Sequence, residues 1–326
     1  VDGDHPHIGR FPVIREIGRG AFATVYLARD ESVARDVAIK LLTTVRESTD
    51  VQRFKDEAQT LGQFSDPHIV NVFEYGEHAG APFIVMEYMA GGTLVPLVGC
   101  GDQERVRAVL GDTLRGLSAI HATGRVHRDL KPQNLLLAKD GVTVKIADLG
   151  LARLLAAAHL TQPNTAPGSP RYMAPEQAEM GGEVDARADL YAVGAIAQEL
   201  LLGTVPFEDA DVSAMLGARI RSDPAPLGPT ADWLDPALAE WIDWLIRRRP
   251  SDRPPTAERA LADMLSHAPP PKATPSLGRA ARRPFAIMMG LAVAAVAVVT
   301  GTPWLLALAV LGYACLAAIP LLTPPD

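Results

Sequence analysis

The sequence predicts an α+β fold of two lobes, an antiparallel-sheet lobe carrying one helix and then a mainly helical lobe. Three observations carry this reading. β-Branched runs crowd the stretch from Phe11 to Tyr88, helical periodicity takes over beyond Gly91, and prolines near Ala268 close the folded part.

In order, FPVIREIG, ATVYLARD and DVAIKLL are β-rich and separated by glycine or charged turns, the pattern of antiparallel strands. One helix interrupts them from Val51 to Phe64, where Phe54, Ala58 and Leu61 share a face. Helices then follow at Glu104 to Thr123, Arg187 to Leu202, Ala210 to Ile220, Ala237 to Arg248 and Ala257 to Leu265. The run APPPKATPSLGRAARRP reads as an extended linker. Residues 1–89 thus form the first lobe, 90–267 the second and 268–284 a Pro/Arg-rich linker.

The chain has 326 residues and a formal charge of −7, so no overall basic field draws it onto nucleic acid. Small molecules and proteins are the expected partners. Cys100 and Cys315 are the two cysteines, without CxxC or metal-like spacing, so neither a disulfide framework nor a zinc site is suggested. Val1 to His7 is polar and lacks the form of a signal sequence, so the folded part is expected in the cytosol.

Ile17-Gly18-Arg19-Gly20-Ala21-Phe22-Ala23-Thr24-Val25 sets a glycine-rich turn between two strands, where missing side chains let backbone amides approach phosphate oxygens. By itself the run is weak evidence and more readily describes an ordinary hairpin turn. A dinucleotide-binding unit is excluded because a strand, not a helix, follows. Val37-Ala38-Ile39-Lys40 then puts a lysine on an apolar strand, ordinarily a solvated position. Facing a cleft, its ammonium could be held toward phosphates by Glu57 of the first helix.

The most specific run is Val126-His127-Arg128-Asp129-Leu130-Lys131-Pro132-Gln133-Asn134, followed by three leucines and, after a turn, by Ile146-Ala147-Asp148-Leu149-Gly150. Asp129 can take or orient the proton of an attacking hydroxyl. Asn134 and Asp148 offer hard oxygen ligands suited to magnesium. A charged loop and a hairpin would not require this joint spacing.

With these motifs together, the chain resembles the protein kinase superfamily, in its eukaryotic-like bacterial Ser/Thr form. The resemblance implies the bilobal kinase fold and ATP with Mg2+, or Mn2+ in its place. It implies that Ile17, Gly18, Arg19, Gly20, Ala21, Phe22, Ala23 and Val25 cover the ATP phosphates, that Lys40 contacts them and that Glu57 anchors Lys40. Asp129 is the implied catalytic base, Lys131 the residue on the transferred phosphoryl group, and Asn134 and Asp148 the metal ligands. Phe83-Ile84-Val85-Met86-Glu87-Tyr88-Met89 resembles the last strand and hinge, with Met86 as gatekeeper and the backbone of Glu87 and Met89 on the adenine edge. Val25, Ala38 and Leu136 would sandwich the ring, and Leu61, His127 and Leu149 would form an apolar column between the lobes.

Gly168 to Glu176 resembles the substrate-docking loop and its Ala-Pro-Glu motif, with Glu176 pairing with Arg253 and Asp189 bracing the catalytic loop. Thr161 and Thr165 are the candidate activation-segment phosphosites, one or both expected to be autophosphorylated with Thr165 favoured, to be met by Arg128 once modified. Ala23 stands where the family has a third glycine, Leu149 where it usually has phenylalanine, and Ser169 where threonine is commoner. Each keeps the size or the group that the chemistry needs. The implied partners are proteins with Ser/Thr acceptors; the residues leave open whether a second copy of the chain joins on activation. A pseudokinase and a small-molecule kinase are the rivals. The first would normally lack one of Lys40, Asp129, Asn134 or Asp148, and the second has no use for Lys131 and the docking loop.

Residues 285–322 contain no charged side chain, a run longer than the roughly 20 residues one membrane helix needs. Thr300-Gly301-Thr302-Pro303 divides it, so two transmembrane helices, 285–300 and 304–322, are expected, with one long tilted span as the alternative. Arg279, Arg282 and Arg283 precede it and favour the cytoplasmic side, which places the expected kinase at the cell membrane, facing the cytosol.

Overall fold

The structure is a computed structural model that describes residues 6–266 apart from 21, 44–47, 150–169, 180, 210 and 229–232; in the first helix, nothing is described of side chains 48–50, 53 and 57. The described residues all belong to one compact unit. Among the described residues no helix is long and apolar enough to cross a membrane. The expected linker 268–284 and spans 285–300 and 304–322 lie outside them.

Six strands form one antiparallel sheet: β1 (His7–Ile8), β2 (Phe11–Arg19), β3 (Ala23–Asp30), β4 (Arg35–Leu42), β5 (Val72–His78) and β6 (Ala81–Glu87), in the order β1-β2-β3-β4-β6-β5. β4 is central, and its alternation sorts its side chains. Val37 and Ile39 join Phe11, Val13, Ala28, Phe83 and Val85 in one apolar cluster, while Ala38 packs with Val70, Met86 and Met89 in another. Lys40 lies two residues beyond Ala38 and therefore shares its face. α1 (Ser48–Leu61) covers part of the sheet by packing Phe54 and Ala58 on Leu42 and Ile84. It begins and ends three residues before the expected bounds. Gly62 donates to the Ala58 carbonyl at 2.9 Å in the closing turn, and glycine is a poor residue with which to continue a helix.

The second lobe contains α2 (Gln103–Ala122), a small sheet of β7 (Gly92–Thr93), β8 (Leu135–Leu137) and β9 (Val144–Ile146), and then α3 (Pro175–Ala178), α4 (Arg187–Leu202), α5 (Val212–Arg221), α6 (Pro236–Leu245) and α7 (Ala257–Ser266). α4 is buried without interruption from Ala188 to Leu201, the signature of a central helix. Its end is marked by Gly203 at φ +79°, a left-handed position suited to glycine. Asp102, Asp211 and Asp235 cap α2, α5 and α6 by accepting first-turn amides. The short α3 was not among the expected helices, since one turn has no readable periodicity.

Asp243 of α6 accepts the Leu227 amide on both carboxylate oxygens, at 3.1 and 3.2 Å. Burial pushes this carboxyl up to about 6; the Leu227 amide and Arg247 oppose the rise and Glu240 adds to it. The folded group therefore binds its proton more tightly than the unfolded one. Its contribution to stability is complete below the unfolded value of 3.8 and is lost as pH rises through about 6. Asp243→Asn keeps an acceptor and carries no charge. It should gain about 1 kcal/mol at about pH 8, after discounting for solvent screening, and almost nothing at about pH 4. Urea midpoints of both proteins at the two pH values check this, and an equal gain at both would remove the titration as its cause.

Candidate active site

The catalytic-loop run is fixed from below by Asp189 of α4, which is almost wholly buried. One of its oxygens accepts the Arg128 amide at 2.8 Å, and the other accepts the His127 amide at 2.8 Å and lies 2.8 Å from His121 Nε2. These bonds hold Arg128 at φ +69°, a conformation unfavourable to a residue with a side chain. The Asp129 amide then donates to His127 Nδ1 at 3.3 Å, so the Nε2–H of that imidazole is assigned to the Ala147 carbonyl, 3.0 Å away.

Above this base Asp129, Lys131 and Asn134 converge. Lys131 Nζ donates to Asp129 Oδ2 at 2.8 Å, and Asn134 Nδ2 donates to the Asp129 carbonyl at 2.8 Å. With its amino group so used, the Asn134 side-chain oxygen has no hydrogen-bond donor among the described residues. The Ala147 amide donates to the Asn134 carbonyl at 2.8 Å, which brings Asp148 alongside. Asp148 stands at φ +59°, a second left-handed position at the site. It takes the ammonium of Lys40 at 2.7 Å, a contact between the sheet lobe and the helical lobe.

Lys40 is 9 % exposed at its side chain and Asp148 38 %, so the pair lies at the mouth of a cleft rather than deep in a core. Desolvation pushes the Asp148 carboxyl up, but the charge and hydrogen bond of Lys40 outweigh it, and the Lys131 ammonium acts with Lys40. The result is a carboxylate held below its ordinary range, ionised at neutral pH. Asp148 and the Asn134 oxygen fit a hard, oxygen-seeking cation of the kind the fold family implies. No group of three His, Cys, Asp or Glu side chains among the described residues could hold a metal alone. A cation here would complete its coordination with water or nucleotide oxygens.

One apolar cluster beside these residues draws on both lobes. Ala38, Met86 and Met89 are buried in it with Val70 and Ala147, and Ile17, Val25 and Leu136 pack against it. Neither Gly18 nor Gly20 is required by packing. A Cβ on Gly18 would stand 3.8 Å from that of Val25, and one on Gly20 would stand 3.5 Å from the Ala23 carbonyl, both ordinary contacts. Their bareness suits a ligand approaching from outside. Arg19 pairs with Glu16 on the exposed side of this turn, and Phe22 and Ala23 continue it into β3. The Glu87 amide is already used by the Asn71 carbonyl at 2.9 Å, which leaves only its carbonyl for an adenine edge. Leu61 and His127 are buried, and Leu149 packs against the core of the helical lobe.

Several expected residues lie outside this description. They are Ala21, Gly150, Thr161, Thr165, Gly168 and Ser169, together with the side chain of Glu57, although its backbone is part of α1.

The structure also shows functional neighbours that no motif announced. Lys145 of β9 donates to Glu87 Oε2 at 2.8 Å, and Asn71 donates to the same oxygen at 2.9 Å, a polar clasp behind the hinge. Gln177 Nε2 donates to the Arg128 carbonyl at 2.9 Å and ties the stretch after Pro170 to the catalytic loop. The nearest sequence signal for Gln177 was its place next to Glu176; for Asn71 and Lys145 there was none, because contacts across 16 and 58 positions leave no local pattern. Glu176 and Arg253 form the expected pair, bidentate at 2.7 and 2.8 Å.

Comparison with known proteins agrees with this geometry. The chain is 37% identical over 267 residues to the probable serine/threonine-protein kinase pknA2 of Bifidobacterium longum, covering 79% of this chain and 35% of that protein. It is 38% identical over 255 residues to the serine/threonine-protein kinase Pkn1 of Myxococcus xanthus, covering 75% and 36%. With the serine/threonine-protein kinase PknL of Mycobacterium tuberculosis it shares 36% over 250 residues, covering 75% and 62%. The chain thus spans between about a third and three-fifths of the length of these curated relatives. Residues 11–266 match the family model described as the protein kinase domain, a span that holds the cleft and both lobes, and the chain belongs to the protein kinase family.

Proposed function

We propose that the chain is a serine/threonine protein kinase that transfers the γ-phosphoryl group of ATP to a Ser or Thr hydroxyl of a protein. The observation that carries this is the meeting of Lys40 and Asp148 across the lobes beside the cluster of Asp129, Lys131 and Asn134. In the proposed reaction the acceptor oxygen forms a bond to the γ-phosphorus, the bond from that phosphorus to the β,γ-bridging oxygen breaks, and ADP leaves. The hydroxyl proton passes to Asp129. Lys131, already beside Asp129, supplies positive charge where the transferred group carries its equatorial oxygens. Lys40 orients the nucleotide phosphates, and the apolar set around Ala38, Met86 and Leu136 holds the adenine and excludes water. Asn134 and Asp148 would hold Mg2+, or Mn2+, which when bound neutralises phosphate charge.

Finer readings belong to the same proposal. One or both of Thr161 and Thr165 are autophosphorylated, Thr165 first for its closeness to the docking loop, Arg128 meets the modified residue, and two copies associate on activation. Residues 285–322 anchor the chain in the cell membrane with the kinase on the cytosolic side. The uncharged run and the arginines before it support the anchor.

Incubation of the full chain with labelled ATP, Mg2+ and either a Ser/Thr peptide library or small alcohols tests the reading. Label on peptides is expected. Label only on small molecules would make the chain a small-molecule kinase, and none on either would make it a pseudokinase. Mass spectrometry of the active protein with both Thr161 and Thr165 unmodified would remove autophosphorylation there.

A further inference from the structure

Arg219 lies on α5 and is completely buried. Among the described residues no carboxylate pairs with it; backbone carbonyls take protons of its two terminal nitrogens, while its buried Nε has no hydrogen-bond partner among them. Nη1 donates to Pro170 at 2.6 Å and to Met173 at 3.1 Å, while Nη2 donates to Arg171 at 2.5 Å and to Pro206 at 3.0 Å. Its planar fork thus gathers three carbonyls from one short stretch, 170–173, and one from the loop before α5. A lysine could not span this arrangement, because it offers a point charge rather than a fork.

Such an arrangement is a poor way to gain stability. A buried cation without an anion bears a desolvation cost that an apolar residue of similar volume would avoid. Burial, with the like charge of Arg171, accordingly pushes the guanidinium below its usual range, against the opposing charge effect of Tyr191. What the arginine does supply is shape. The stretch it grips runs into Glu176, locked by Arg253, and into Gln177, bonded to the carbonyl of the residue before Asp129. Residues 170–177 are thus fastened by Arg219 at their start and by Arg253 and Gln177 at their end, next to Asp129.

We infer that Arg219 is a positioning residue for the protein acceptor, shaping residues 170–173 into the surface on which the acceptor chain lies. This rests on the protein kinase reading and adds the residue through which the helical lobe controls acceptor binding. None of Arg219's partners belongs to the nucleotide side of the cleft, so its effect should fall on the acceptor alone.

The test uses the full chain, Arg219→Lys and Arg219→Met, with the best peptide acceptor selected by the wild-type protein from a Ser/Thr library. The KM for peptide should rise about tenfold in the lysine variant and further in the methionine variant, since small misplacements of a bound reactant are this costly. The KM for ATP should stay within about twofold in both, because no ATP-side contact is altered. Peptide KM unchanged in both variants, or ATP KM rising by the same factor as peptide KM, would overturn the inference. So would failure of both variants to give a cooperative melt, which would make Arg219 a residue of stability alone. If the wild-type protein labels no peptide, the kinase reading itself fails and this inference goes with it; an active wild type with variants at parity removes this inference only.

Discussion

Asp129→Asn is expected to lower phosphoryl transfer by about a thousandfold, within the range that positioned acid–base groups contribute, with ATP affinity unchanged. The reason lies in what asparagine preserves. It has the same shape, its oxygen can still accept from Lys131 Nζ, now 2.8 Å from Oδ2, and the backbone carbonyl that receives Asn134 is untouched. What disappears is the ability to take a proton and the negative charge that aligns the acceptor hydroxyl. Single-turnover transfer to peptide, beside a titration of ATP binding and a thermal melt, separates the two. Transfer within tenfold of wild type would deny Asp129 its role, and a loss of ATP binding in proportion would move that role to the nucleotide.

The second large effect concerns stability. Glu176→Ala should cost about 3–5 kcal/mol, because it strands a buried charge. The Arg253 side chain has no exposed surface, and Glu176 is its carboxylate partner at 2.7 and 2.8 Å. The remaining acceptors are the carbonyls of Arg187, Arg247 and Arg248, which satisfy protons but do not balance charge. Removing the arginine as well should restore part of the loss, so a Glu176→Ala, Arg253→Met double variant is expected to be more stable than Glu176→Ala alone. Chemical denaturation of the three variants and the wild type checks both statements. A single variant within about 1 kcal/mol of wild type would mean that water or a neighbouring group reaches Arg253.

The two lobes were legible because each repeats a simple period. β4 alternates Val37 and Ile39 against Ala38 and Lys40, and the sheet registers Lys40 with Val25 on one side and Ile84 on the other. α1 carries Phe54, Ala58 and Leu61 at helical spacing, all three buried. The bounds were read less well, as the earlier start of α1 and the unread α3 show, since a helix end is decided by a few hydrogen bonds and not by periodicity. The candidate site was legible for another reason: Asp129, Lys131 and Asn134 lie within one short run, and Asp148 follows a recognisable hairpin.

By itself the sequence determined which residue types are available to the chemistry, which strand carries the lysine, and which faces of the helices turn inward. Those follow from composition and from periods of two and 3.6 residues, which any short window contains. Folding in three dimensions settled the rest. It brought Lys40 to Asp148 across 108 positions, set Lys145 on Glu87, and drew the Arg219 guanidinium onto the carbonyls of residues 170–173. Such contacts arise where separate elements pack together. Their partners share no spacing along the chain, so nothing local encodes them.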